Sequence, residues 1–266
     1  MKNRFAIITG GSSGIGLQYA RRLAKEYHYN VVIVSNQEAE NVRIADKIAH
    51  KYGVRALPFY ADLTDPTSAD RLGAWCEQEG IEVEVLISNA GILHFGKLAH
   101  TSPEAINRII ALHCTTPAQL CRVFGAKMAE RHHGYILLMS SMTAWTPLPT
   151  MSLYGSTKAF LKNFGRSLWH EMRAEGVSVT TVYPSAVDTP FYKLEDGKRR
   201  SLRRLGMMIS AEDLAKGALR ALFHSRRIYT PGWCAKVEIF LCRLMPAHAY
   251  LPLLKIPAIQ RILSKL

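Results

Sequence analysis

Short apolar runs recur along the chain, separated by longer stretches with one polar face. FAIIT (5–9), VVIV (31–34), ALPFYA (56–61), VEVLIS (83–88), YILLMS (135–140) and VSVTTVY (177–183) each read as a strand, and RIYT (227–230) as a short last one. Their apolar residues follow one another with little polar alternation, as strands covered on both faces require. Between them the spacing predicts helices: one from the glycine-rich segment through Tyr27, one over 38–52 and one over 67–79. In 38–52 the apolar face is Val42, Ala45, Ile48 and Ala49. Ser102-Pro103-Glu104 opens a long helix as N-cap, N1 and N2, because proline there gives up an amide that has no helical partner anyway. Another helix carries Tyr154 and Lys158 and runs to about Ala174, and a last one spans 211–224. Such alternation predicts right-handed βαβ units. The fold class is therefore α/β, a Rossmann-like doubly wound parallel sheet of about seven strands with helices on both faces. Residues 1–232 form this domain. Residues 233–266 are an amphipathic helical extension, with Ile259, Ile262, Leu263 and Leu266 spaced as one helical face.

Composition narrows the class without naming an activity. With 266 residues, 48% apolar and 21% charged, the chain is globular and long enough for a full core. Five cysteines without a CxxC pair argue for reduced thiols in a cytoplasmic protein and against a metal site. The basic tip of MKNRFAIITGG precedes too few apolar residues for a signal-peptide core. The run Leu244–Leu254 is broken by Pro246 and Pro252 and falls short of the roughly 20 residues a spanning helix needs. The net charge of +13 admits nucleic acid, an anionic membrane surface, or an anionic cofactor or substrate. Nucleic acid is the weakest of these, since no recognisable nucleic-acid module is present.

In a parallel sheet ligands gather at the carboxyl ends of the strands, and polar or glycine chemistry stands at nearly every one. TGGSSGIG (9–16) follows the first strand. Thr9, Ser12, Ser13 and Ile15 surround glycines 10, 14 and 16, which let a pyrophosphate approach a helix N-terminus. It is not a Walker phosphate loop, because Leu17 and Gln18 occupy the Lys and Ser/Thr positions. Ser35-Asn36-Gln37 follows the second strand, where NAD-dependent proteins usually place a carboxylate for the ribose 2′-hydroxyl. A neutral end leaves room for a 2′-phosphate with Ser35 and Asn36 as donors and Arg43 in the neighbourhood, so NADP(H) is favoured over NAD(H). Asp62-Leu63 ends the third strand, Ser88-Asn89-Ala90-Gly91 the fourth and Ser140-Ser141 the fifth. Pro184, Val187 and Thr189 follow the sixth.

Taken in order, TGxxxGxG, NAG, Ser141 and Y154xxxK158 resemble the short-chain dehydrogenase/reductase family, through about residue 230. Ser141 precedes Tyr154 by thirteen residues, as that family's catalytic serine does. The resemblance implies an NAD(P)-dependent oxidoreductase working on a ketone or secondary alcohol, with a homo-oligomeric assembly. It implies that Asp62 holds the adenine amino group, that Asn89 steadies the strand beside the cofactor, and that Val187 and Thr189 hold the nicotinamide amide. Lys158 would grip the nicotinamide ribose. Two positions depart from the pattern. His113 stands where the family has an asparagine that binds a water. Histidine can bind water and relay protons, or be a satisfied core residue. Ser185 replaces the usual glycine after Pro184.

The Tyr154–Lys158 spacing then has a chemical reason. One helical turn puts both on one face. An ammonium favours the phenolate of a tyrosine whose free pKa is near 10. Ser141 supplies a second hydrogen bond to the substrate oxygen. A non-catalytic dinucleotide sensor on the same fold is the alternative. Residues 188–210 would cover the substrate. They carry Phe191, Tyr192, Leu205, Met207 and Met208 beside the basic residues Lys198-Arg199-Arg200 and Arg203-Arg204. This suits an apolar or lipid-like ketone of 3-ketosphinganine, 3-oxoacyl or steroid type with an anionic head. It equally suits docking on anionic lipid, or a solvated basic loop. The amphipathic tail would cap the core, extend a subunit contact or lie in a membrane surface.

Overall fold

The computed structural model describes residues 3–145, 150–189 and 208–244, together with residues 148, 197, 200 and 203. The predicted apolar runs become β1 (Arg4–Thr9), β2 (Asn30–Ser35), β3 (Ala56–Tyr60), β4 (Glu82–Ser88), β5 (Gly134–Met139) and β6 (Val177–Val182). Two short strands, β7 (Ala186–Asp188) and β8 (Met208–Ser210), pair only with each other, and β9 (Ile228–Tyr229) ends the series. The other seven form one parallel sheet in the order β3-β2-β1-β4-β5-β6-β9. Alternate residues feed opposite faces. Ala6 and Ile8 of β1 enter the core under α1 (Gly14–Tyr27), α2 (Glu38–Tyr52) and α7 (Ala211–Phe223). Phe5 and Ile7 enter the core under α3 (Ser68–Gln78), α5 (Thr116–Glu130) and α6 (Ser152–Ala174). Burying one such side chain fully contributes about 1.5–3 kcal/mol, which is why runs apolar on both faces settle as central strands.

One sequence expectation changes, and two features are added. The buried face of α2 is Asn41, Ile44, Ala45 and Ile48, while Val42 is exposed. Polar Asn41 turns inward because its amide nitrogen donates to the carbonyls of Ser35 (3.1 Å) and Phe59 (3.0 Å), joining the ends of β2 and β3. The long helix opened by Ser102 runs without a break from 103 to 130, but it widens midway: α4 (Pro103–Ile110) passes through a π-turn at Ala111–Thr115 into α5. Pro117 has no amide to donate to the carbonyl of His113, four residues back, and its ring crowds that carbonyl, so the helix widens there. The β7–β8 pair was not foreseen. It brings Asp188 beside Ser210, so the proposed substrate segment begins and ends at one place. Of that segment, Phe191, Tyr192, Lys198, Arg199, Arg204, Leu205 and Met207 lie outside the described residues, as does the tail beyond Leu244. Arg203 pairs with Asp188 at 3.6 Å, and Met208 is buried. A helix α8 (Trp233–Leu244) follows β9.

Candidate active site

The chain runs from β1 outward to β3 and then returns to place β4 on the other side of β1. Connections diverge at such a reversal and leave a crevice at the carboxyl ends. The glycine turn sits there. A Cβ on Gly16 would lie 2.0 Å from the carbonyl oxygen of Gly10, so only glycine lets α1 start this close to the turn. Ser13, the N-cap of α1, makes no side-chain cap, and the first turn of α1 carries no acidic residue. The first turns of α2, α4 and α7 do carry acids: Glu38 and Glu40, Glu104, and Glu212 and Asp213. The amides of α1 thus face the crevice without a competing carboxylate, which favours an anion.

Thr9 and Asn89 stitch β1 to the end of β4. The Thr9 hydroxyl accepts from the amides of Asn89 (2.9 Å) and Ala90 (3.0 Å), and Asn89 Nδ2 donates to the Thr9 carbonyl (2.9 Å). Thr9 is buried behind the crevice wall. At the end of β2, Ser35 Oγ accepts from the Gln37 amide (2.9 Å) and bonds Ser12 Oγ (3.0 Å), while Asn36 is exposed. Arg43 is held on the helix surface by Glu40 at 2.5 Å. The Asp62 carboxylate accepts from the Thr64 amide (3.0 Å) and hydroxyl (2.8 Å), which hold it below the usual carboxylate range. Leu63 points into the core, and its carbonyl accepts from the Thr116 hydroxyl.

One cavity of about 230 Å³ collects the remaining candidates. Gly10, Ser13, Gly14 and Ile15 line one side, and Asn89, Ala90, Gly91 and His113 another. Ser141, Tyr154, Lys158, Pro184, Val187 and Thr189 complete it. Ile92, Met139, Ser140 and Ser185 also line it, residues that sequence reasoning did not assign although each adjoins a motif residue. Thr9, Ser12, Gly16, Ser35, Asn36, Asp62 and Leu63 do not line this cavity.

Helix α6 sets the geometry of the far wall. Ser140 Oγ donates to the Lys158 carbonyl (2.8 Å), tying the helix to the end of β5. Lys158 is buried, its Nζ donates to the Met139 carbonyl (2.9 Å), and it lies 5.5 Å from the centroid of the Tyr154 ring. Burial pushes the lysine down to about 8, because an ammonium away from water loses solvation. Ser141 Oγ accepts from the Thr143 amide (3.2 Å), a bond that uses a lone pair and not the hydroxyl hydrogen.

His113 sits on the π-turn and is 1% exposed. Its Nε2 bonds the Ile92 amide (3.0 Å) and its Nδ1 bonds Thr157 Oγ1 (2.9 Å). Burial, and then the charge on Lys158, push it down to about 2. Both ring nitrogens are thus engaged by protein groups, the arrangement of a satisfied buried histidine, one of the two roles the sequence leaves open.

Residues 4–199 match the profile of the family described as short chain dehydrogenase. Over 254 residues the chain is 35% identical to 17-beta-hydroxysteroid dehydrogenase type 3 of Danio rerio, covering 89% of this chain and 80% of that protein. Over 188 residues it is 32% identical to the very-long-chain 3-oxoacyl-CoA reductase of Pyricularia oryzae, covering 68% of this chain and 55% of that one. The chain thus matches little more than half of the fungal protein. Among solved structures it resembles a short-chain dehydrogenase from Sphingobium yanoikuyae in complex with NADPH, with a TM-score of 0.76 and 25% identity over 99% of this chain and 96% of that one.

Proposed function

The chain belongs to the short-chain dehydrogenase family, and on that premise we propose that it reduces a long apolar ketone with NADPH. One observation carries this reading: Ser141, Tyr154 and Lys158 share a single cavity with a helix N-terminus that no side chain caps and no acid shields. That N-terminus and the close approach at Gly16 fit a dinucleotide pyrophosphate. Bound there, the nicotinamide supplies the hydride. The protein supplies placement and protons. Tyr154 Oη gives its proton to the carbonyl oxygen as negative charge develops on it. Ser141 donates the second hydrogen bond to the same oxygen. The Lys158 ammonium, one turn along α6, stabilises the phenolate that remains and holds the ribose hydroxyls. Val187 and Thr189 hold the nicotinamide amide, and Asp62 the adenine amino group.

NADP(H) is favoured because no carboxylate stands at the end of β2. Glu38 and Glu40 belong to α2, and Glu40 is occupied by Arg43. Ser35→Asp would repel a 2′-phosphate, so the ratio of kcat/KM for NADPH to that for NADH should fall at least about tenfold, the effect of 1.4 kcal/mol. A native protein that already prefers NADH refutes this choice.

The substrate class rests on the apolar wall formed by Ile92, Met139, Pro184 and Val187 and on the steroid and 3-oxoacyl relatives. Steroid, acyl-thioester, sphingoid and sugar ketones, each followed by NADPH absorbance, test it. Fastest turnover with a sugar ketone overturns the substrate class. No turnover with any of them leaves the dinucleotide-sensor reading in its place.

Exposed apolar faces support a reading of assembly and location. On α8, Ala235 and Ile239 are buried, Ile239 against Ala144 and Tyr183, while Trp233, Val237, Phe240 and Leu241 are exposed beside Lys236. With the net charge of +13, this face suits peripheral docking on an anionic membrane. No helix among the described residues is long and apolar enough to cross one. Phe160, exposed on α6 and stacked on Phe164 at 5.5 Å, suits a contact between subunits of a homo-oligomer. Among the described residues Cys76, Cys114 and Cys121 are free thiols.

A further inference from the structure

We propose that His113 is a positioning residue for Tyr154, a neutral clamp that ties the loop after β4 to the turn of α6 bearing the phenol. The hydrogen-bond directions fix its form. The Thr157 hydroxyl donates to the Tyr154 carbonyl at 2.8 Å, so toward the imidazole its oxygen accepts. Nδ1 therefore carries the hydrogen. The Ile92 amide donates, so Nε2 accepts. A single neutral tautomer satisfies the whole chain Ile92 → His113 → Thr157 → Tyr154, and every link is between 2.8 and 3.0 Å. The ring also meets the Tyr154 ring edge-on, at 5.7 Å between centroids and 77° between planes. Tyr154 is thus held twice, through its backbone and through its ring.

Two neighbouring features belong to the same device. The π-turn carries His113 at its middle, and Pro117 enforces that turn. Gly91 leaves the space: a Cβ there would lie 2.9 Å from Nε2 and displace the ring from the Ile92 amide. The titratable groups against the imidazole are Tyr154 and Lys158 of α6, while the loop after β4 offers it only an amide. A positive charge on the ring would stand near the Lys158 ammonium in a buried site, so the neutral form persists through the working pH range. The clamp passes no proton. It holds Tyr154 in the pose the reaction needs.

This inference rests on the ketoreductase reading for its kinetic test, and a second test is independent of turnover. In ¹⁵N NMR of histidine-labelled protein without cofactor, one imidazole should show the Nδ1–H tautomer, should not titrate between pH 5 and 9, and should vanish in His113→Gln. A His113 signal that titrates in that window, or shows the Nε2–H tautomer, overturns the clamp whatever the enzyme's activity. For catalysis, Thr157→Val removes only the hydroxyl from a residue of the same shape. It should lower kcat at least about tenfold, as misplacement of a reacting group does, and leave KM for NADPH within about threefold. Thr157→Ser should recover most of the loss. Combining Thr157→Val with His113→Leu should be no worse than the weaker of the two single variants, since both break one chain. Additive losses, an undiminished kcat in Thr157→Val, or a wild-type pH limb near 6–7 that disappears in His113→Gln would each refute positioning.

Discussion

Tyr154→Phe removes one oxygen and leaves the ring against His113. Turnover should fall by at least about a hundredfold, the usual contribution of a general acid, while NADPH binding by fluorescence stays within a few-fold. A variant keeping most of its activity would exclude the phenol as proton donor. Lys158→Met should damage both turnover and cofactor binding. It also provides a control for a pH effect on stability. Burial pushes Lys158 down to about 8 in the folded protein, from an ordinary value of 10.5 that the unfolded chain would keep. Between those values the unfolded chain holds a proton that the folded protein has released, so stability from this group rises with pH across the window. The rise is at most about 1.4 kcal/mol per pH unit. Urea midpoints of the native protein should gain on those of Lys158→Met between pH 8 and 10, and parallel curves would contradict the buried-ammonium environment.

At the scale of elements, the turn between β1 and α1 is the least tolerant junction. In Gly16→Ala the new Cβ meets backbone, the Gly10 carbonyl, and backbone cannot swing aside as a side-chain tip can. The turn must open, at a cost of about 1–3 kcal/mol as for other overpacked sites. Both the melting temperature and the affinity for NADPH should drop. Unchanged affinity would mean that the turn is not where the pyrophosphate sits. The element bounds themselves were mostly readable from the pattern of apolar residues, since a strand buried on both faces admits few alternatives. Val42 misled because a helical face is defined by periodicity only to within a residue, and Asn41 won the inward place through two backbone carbonyls.

For the whole molecule, the proposed membrane docking joins the exposed face of α8 to the positive charge. Each basic residue near an anionic surface contributes on the order of 1 kcal/mol. Charge is screened within roughly 8 Å at physiological salt, whereas apolar burial is not. The protein should float with anionic liposomes at low salt, and a part should remain bound at high salt. Trp233→Ser with Phe240→Ser should remove the salt-resistant part, since both side chains are exposed and their loss leaves the Ala235 and Ile239 contacts in place. A protein that never floats would assign the face to a subunit contact, which the oligomeric state in solution would show.

The order of apolar runs by itself determined the parallel sheet, and the motifs at the strand ends placed Ser141, Tyr154, Lys158 and the glycine turn near one another. Both are local in the chain: burial on two faces dictates a run, and one helical turn dictates a spacing of four. Which groups meet His113 was decided only by tertiary structure. Its partners Ile92 and Thr157 lie 21 and 44 residues away, and the proposed clamp rests on the bonds to them. The same holds for Thr9, whose hydroxyl is spent on the amides of Asn89 and Ala90 and is buried behind the crevice wall. A sequence records which groups can donate or accept, but which of them are already engaged depends on packing between distant segments.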